Sequence, residues 1–249
     1  LRILFHNDWD LGTLTESQED ASYPVENTQD IRLVKTWRTS TASASTIVID
    51  AGAGSTYTCD CCAILNHNFT ASAGIFIQAS TAATWATAAL SAEVTYRADT
   101  MVLFFTNTTG YRYWRFSFDE LTLAAGYYEV GRLFLGTYVQ ISPSSLVEFP
   151  VKHIRNDRTM WSRSNQLYAD QGVGWKELHY KFPRSTSAMK GSIETMFGSC
   201  GKYIPLIFLN YDTTYTVIPP LYCSITEDIT FTHLKNDFWS YDLHLRQVN

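Results

Sequence analysis

The sequence is short of positive charge, of long apolar runs and of cysteine. Its 249 residues hold 19 Lys and Arg against 24 Asp and Glu, a formal net charge of −5. A protein that tracks a phosphate backbone carries a basic stripe and a high pI, so nucleic acid is excluded as the expected partner. No apolar run approaches the ~18 residues that argue for a membrane-spanning helix, so no membrane span is expected. The opening LRILFHNDWD has too short an apolar core for a secretory signal and no small-residue cleavage site. The 5 cysteines are an odd number. Cys59, Cys61 and Cys62 crowd together, while Cys200 and Cys223 stand alone. A secreted disulfide scaffold shows an even, dispersed set, so free thiols are expected.

Recognisable catalytic patterns are also missing. There is no G-x-S-x-G elbow and no H-E-x-x-H. The glycines of GAG (52–54) lead into the strand-like STYTCDCC, whereas a dinucleotide site needs a helix there. GSCGKY (198–203) has neither the spacing nor the final Ser or Thr of a phosphate-binding loop. The acidic residues are scattered. His6, His153, His179, His233 and His244 stand apart in sequence, and His179 and His244 fall opposite the apolar faces of their strands, facing solvent or a neighbouring subunit. NFT (68–70) and NTT (107–109) match the glycosylation acceptor pattern, but without a secretion signal modification is not expected. The residues therefore predict no enzyme, no cofactor and no metal.

The densest stretch is TCDCCAILNHNF (58–69). In an extended strand, residues two apart lie roughly 6.5–7 Å from each other. Cys59 and Cys61 would share one face and Cys62 the other. Zinc bound at ~2.3 Å needs its sulfurs closer than that. The three thiols are expected to act as small buried hydrophobes.

What the chain does have is aromatic and β-forming residues: Trp 7, Tyr 15 and Phe 14. Such side chains suit a pleated, half-buried surface. Strands are predicted at 45–52, 58–66, 73–80, 100–107, 111–118 and 127–136. They are separated by the turn signals GAGS, NHNFTASAG, NTTG and AAG. Short strands at this spacing predict a β-sandwich or jelly roll over 1–140. The Pro- and Ser-containing ISPSSLVEFPVKH (141–153) marks the boundary to a second domain, 141–249. KHIRNDRTMWSRSNQ, with Lys152, Arg155, Arg158 and Arg163, reads as a solvated loop or an electrostatic contact for an acidic neighbour.

The second domain reads as α+β, a small antiparallel sheet or barrel with one helix. WKELHYKF (175–182) alternates, with Leu178, Tyr180 and Phe182 on one face, and is expected to end at Pro183. Residues 185–201 give the helix: Met189, Ile193, Met196, Phe197 and Cys200 recur at helical spacing, with Gly198 or Gly201 to close it. YIPLIFLN (203–210) reads as a buried strand. Two or three further strands follow, broken at Pro219 and Pro220. DFWSYDLHLRQV (237–248) alternates with Trp239, Tyr241, Leu243 and Leu245 inward.

Taken in order, the first half resembles the discoidin, or galactose-binding-like, jelly roll. The residues that carry this are Tyr23, Pro24, Asn27, Asp30, Trp37 and Arg38 in ASYPVENTQDIRLVKTWRTS, the strand IVIDAG, the His–Asn end of AILNHNF, IFIQAS followed by Trp85, and the aromatic–Arg strand RYWRFSF. No pair of cysteines is placed to tie the termini, as many discoidin domains do. The resemblance implies loops at one rim that bind ligand, with Trp37, Arg38, His67 and Asn68 as the candidate residues and a glycan as the ligand. Some relatives bind calcium near the Asn–Asp loop, for which Asp30 is the candidate here. The HN after the central strand, the late EVGRLFLG and the second half also resemble tail proteins of tailed bacteriophages. That resemblance implies a non-enzymatic virion tail component, assembled in the host cytoplasm, with other tail proteins as partners and a homo-oligomeric ring. The alternative is a carbohydrate-binding adhesin.

Overall fold

A computed structural model describes residues 1–120, 123–141, 150–209 and 219–248. The described chain is mostly β, with one α-helix. It divides into two compact units. The first is Arg2–Val139 with Leu209 and residues 219–221; the second takes Leu1, Gln140–Phe208 and Tyr222–Asn249. Most of the predicted boundary segment, 142–149, lies outside the described residues, as does the part of the Pro219–Pro220 region before Pro219.

The first unit runs β1 (Arg2–Asn7), β2 (Thr13–Glu16), β3 (Trp37–Arg38), β4 (Ser45–Asp50), β5 (Cys61–His67), β6 (Gly74–Ser80), β7 (Leu90–Glu93), β8 (Met101–Phe104), β9 (Tyr113–Asp119) and β10 (Glu129–Gln140). One layer has the order β1-β10-β5-β8, with β3 also on β10; the other has β2-β4-β9-β6-β7. This is a β-sandwich of jelly-roll type. Alternation builds its core. In β4, Ser45, Ile47 and Ile49 point inward; in β9, Trp114, Phe116 and Phe118 do. Ile47 lies opposite Phe116, and Ile77 of β6 flanks the same phenylalanine from the other side. Burying each such side chain stabilises the sandwich by about 1.5–3 kcal/mol. Gly136 is required where β10 meets β1, because a Cβ there would lie 2.2 Å from the His6 carbonyl oxygen.

The cysteine stretch corrects one expectation. Cys59 joins the sandwich core together with Cys62, not with Cys61. The reason is local: the chain bends at Asp60 and β5 begins only at Cys61, so strand alternation does not extend back to Cys59. All five cysteines are buried, and none forms a disulfide. Burial raises the pKa of the Cys59, Cys61 and Cys62 thiols well above the usual range. They stay protonated, and a thiol is a poor nucleophile.

The second unit runs β11 (Val151–Arg155), β12 (Arg158–Trp161), β13 (Leu167–Asp170), β14 (Gly174–Thr186), α1 (Ser187–Cys200), β15 (Leu206–Leu209), β16 (Leu221–Ile225), β17 (Thr232–His233) and β18 (Phe238–Gln247). Its sheet has the order β11-β14-β18-β16-β15, with β17 on β18. Helix α1 packs on β14 and β18 and buries Ile193, Met196 and Cys200. The Thr186 side chain accepts a hydrogen bond from Met189 N at its start. Gly201, at φ +54°, closes its end.

Two further expectations are overturned. Pro183 does not end its strand: β14 continues to Thr186, and the pairing with β18 shifts register between Phe182 and Ser185. An irregularity of this kind is where a strand tolerates a residue with no N–H to donate. The basic segment 152–166 is not a loop. It forms β11 and the hairpin β12–β13, whose strands pair from Arg158 with Asp170 to Trp161 with Leu167.

Candidate functional site

The residues singled out as ligand contacts converge on the first two residues of β10. Arg38 is the cross-strand partner of Glu129, Trp37 of Val130, and His67 pairs with Val130 from the other side. Asn68 follows His67 directly. One end of one sheet therefore gathers pairs of residues some thirty and sixty positions apart along the chain.

Their surroundings differ sharply. Trp37 is 0% exposed and belongs to the core, its ring 5.9 Å from that of Phe118. It was expected in a rim loop. Instead the short pairing with β10 draws it under the rim, and its indole offers no surface to a ligand. His67 Nε2 bonds the carbonyl oxygen of Asp99 at 2.8 Å, so this nitrogen is the donor. The ring packs near Phe69 and Tyr96. Burial lowers its pKa below the ordinary 6.5, so the imidazole is neutral and works as a joint. Asn68 Nδ2 donates to Tyr127 O at 2.9 Å, and its Oδ1 accepts from Glu129 N at 2.8 Å. It holds the two residues that flank Tyr128 in position.

Arg38 is the one of the four that reaches the surface with chemistry to spare. Its guanidinium lies 3.9 Å from the centre of the Tyr23 ring and 5.1 Å from that of Tyr127. Its Nη2 donates to Glu129 Oε1 at 3.2 Å. The Arg38 and Glu129 side chains keep 27% and 22% of their surface exposed. Backbone bonds fix the arrangement. Arg38 N donates to Tyr23 O, Asp20 N donates to Arg38 O, and Thr39 N donates to Tyr128 O. The cluster therefore combines two half-buried aromatic rings, a planar donor fork and a carboxylate acceptor. Tyr127 and Glu129 were not foreseen as members. Their sequence, YYEV, reads as ordinary strand, and only the register with β3 brings them to Arg38.

Two other expected features resolve on geometry. Asp30 takes Arg32 Nε and Nη2 at 2.9 and 2.6 Å, and Lys35 Nζ at 3.2 Å. Its pKa is held far below the usual carboxylate range by those cations. Its oxygens already face positive charge, which calcium would have to displace. Asn107 Nδ2 donates to the carbonyl oxygens of Cys59 and Thr109, and Asn68 Nδ2 is held by Tyr127. Both amides of the acceptor-like tripeptides are engaged internally.

In the second unit, the two histidines that looked isolated are direct cross-strand partners. His179 of β14 lies opposite His244 of β18, with ring centres 3.9 Å apart. Among the described residues no helix is long and apolar enough to cross a membrane.

No protein-family model matches the chain, and no curated protein does. Among solved structures, it is similar to the family 32 carbohydrate-binding module of NanJ from C. perfringens, solved with galactose. That module is 13% identical, over 56% of this chain and 100% of that one, with a TM-score of 0.42. A chitosan-binding module of a chitosanase/glucanase from Paenibacillus sp. IK-5 is 19% identical over 52% and 98% of the two chains, with a TM-score of 0.41. A fucose-binding module from Streptococcus pneumoniae is 13% identical over 53% and 94%, also at 0.41.

Proposed function

We propose that the jelly-roll unit is a carbohydrate-binding module and that Arg38, Tyr23, Tyr127 and Glu129 form its sugar contact. The observation that carries this reading is the Arg38 side chain, about a quarter exposed, with its guanidinium against two tyrosine rings and a carboxylate. A sugar presents an apolar C–H face and a rim of hydroxyls. The face suits a tyrosine ring, and the hydroxyls suit charged donors and acceptors, whose hydrogen bonds are the strong ones. The sequence resemblance to discoidin domains points to the same ligand class. Glycan-array screening of the intact chain, followed by calorimetry with galactose, fucose and glucosamine oligomers, tests it. Saturable binding is expected, weakened about tenfold by Arg38→Ala, which corresponds to about 1.4 kcal/mol. A blank array, or a sugar bound equally well by the variant, would contradict it.

A second reading, self-assembly as in a ring of a virion tail, is favoured by one separate observation. Hairpin β12–β13 is exposed along its length, and Met160 and Trp161 remain 70% and 63% exposed, with Leu167 and Tyr168 opposite them. A hairpin with apolar side chains on both faces gains stability from a covering surface, and a second copy of the chain would supply one. Sedimentation velocity is the test. Association that Trp161→Ser abolishes supports this reading; a monomer at high concentration removes it.

A further inference from the structure

We propose that the outer face of the second unit's sheet binds one borderline divalent transition-metal ion, with Zn²⁺ as the reference member, through His179, Asp242 and His244, and with Glu227 as fourth ligand. The placement follows from strand geometry. The inward residues of β14 and β18, Leu178, Tyr180, Phe182, Tyr241, Leu243 and Leu245, are buried. Alternation then sends His179, Asp242 and His244 to the opposite face. Antiparallel register puts His179 directly across from His244, where Cβ atoms lie about 4.5–5.5 Å apart. Asp242 sits two residues before His244 on the same face, and its Oδ2 is 3.1 Å from His179 Nε2.

One ligand atom from each of the three residues lies within 4.8 Å of the others. Ligands bound tetrahedrally at ~2.0–2.1 Å stand about 3.4 Å apart, so closing the site requires side-chain rotations that bring these atoms together and turn the two stacked imidazoles until their nitrogens aim at one point. Glu227 arrives from the turn after β16, its Oε1 3.6 Å from His244 Nδ1. That turn is tied to the same strand, because Thr226 N donates to His244 O at 3.0 Å. His244 and Glu227 line both of two neighbouring surface grooves, of about 480 and 450 Å³, so an ion has an open approach from solvent.

The donor set chooses the ion. Two imidazoles with carboxylates suit zinc and its neighbours, whereas calcium takes six or more oxygens and magnesium keeps its waters. Two carboxylates balance a divalent charge. Without the ion, the two rings are stacked face to face with Asp242 and Glu227 at their edges. Among the described residues this is the one group of three or more His, Cys, Asp and Glu placed to share an ion.

The test is calorimetric titration of the intact, chelator-treated chain with Zn²⁺, Mg²⁺ and Ca²⁺, paired with thermal unfolding. One Zn²⁺ per chain is expected, bound at least a hundredfold tighter than Mg²⁺ or Ca²⁺. Unfolding temperature should rise with zinc concentration, as it does for any ligand of the native state. His244→Gln and His179→Ala should each weaken binding tenfold or more and remove the zinc-dependent rise, while the metal-free unfolding temperature falls by no more than about 4 °C. Co²⁺ should give the visible absorption of a low-symmetry site in the native chain and not in His244→Gln. No selectivity over Mg²⁺, or zinc bound by His244→Gln and by His179→Ala as tightly as by the native chain, would overturn the proposal.

Discussion

His67 in the jelly roll and His179 in the second unit have similar sequence contexts: each lies on a strand beside an apolar run. Their roles in the structure are opposite. His67 is drawn inward, gives its Nε2–H to a backbone carbonyl and is kept neutral by burial. His179 stays on the outer face of its sheet, stacked on a second histidine and bonded to a carboxylate. The residue type is shared; the side of the sheet decides the chemistry. The same contrast divides the four residues first expected to touch ligand. Trp37, His67 and Asn68 hold the rim together, and Arg38 is left to present its charge between Tyr23 and Tyr127.

The comparison can be broken first at its structural half. Trp37→Ala removes a fully buried indole from the core, and such truncations cost about 3–5 kcal/mol. Urea unfolding should show a loss in that range; a loss under 1 kcal/mol would mean that the ring is not packed as described. Asn68→Ala comes next. It leaves Glu129 N–H and Tyr127 C=O without their side-chain partner, at a cost of about 1–3 kcal/mol if the groups stay dry. Because Asn68 sets Tyr127 and Glu129, sugar affinity should fall with it even though it lies beneath the contact.

The pH profile separates the two kinds of histidine. The folded pKa of His67 lies below its ordinary value of 6.5, so the unfolded chain binds the extra proton first. The stability His67 contributes is present above that value and is lost as pH falls through the lowered folded value. His67→Gln should flatten this acid-side loss in an unfolding series from pH 7 to 5, and an unchanged slope would exclude the buried, neutral ring. The smallest effect belongs to the second unit. With metal removed, His244→Gln should shift stability by no more than about 1 kcal/mol, because the ring stack and carboxylate contact it loses lie on the outer face of the sheet. A larger shift would show that the histidine stack is itself structural.

Much of the architecture was legible in the residues. The alternation of STIVID and YWRFSFD, the helical spacing of Ile193, Met196 and Cys200, and the turn signals between strands gave a jelly roll and an α+β partner because each reports which side of an element is buried. What stayed hidden depends on pairing. Nothing in WKELHYKF or DFWSYDLHLRQV says that His179 will face His244; that follows from a register set by the whole antiparallel ladder. The same holds for Arg38 and Glu129, ninety-one residues apart. The hairpin at 158–170 was missed because its strands bury nothing, so its apolar residues show no one-sided pattern. Cys59 was misplaced because the bend at Asp60 carries no turn residue strong enough to announce it.

The central claim is that sugar recognition sits on the Arg38 cluster while the histidine face serves another ligand. Mapping amide chemical shifts of the intact chain during titration with the best sugar from the array tests it most directly. The account predicts saturable shifts centred on Tyr23, Arg38, Tyr127 and Glu129, with His179, Asp242 and His244 unmoved. Shifts centred on the histidine face, or spread over the chain without saturation, would contradict it.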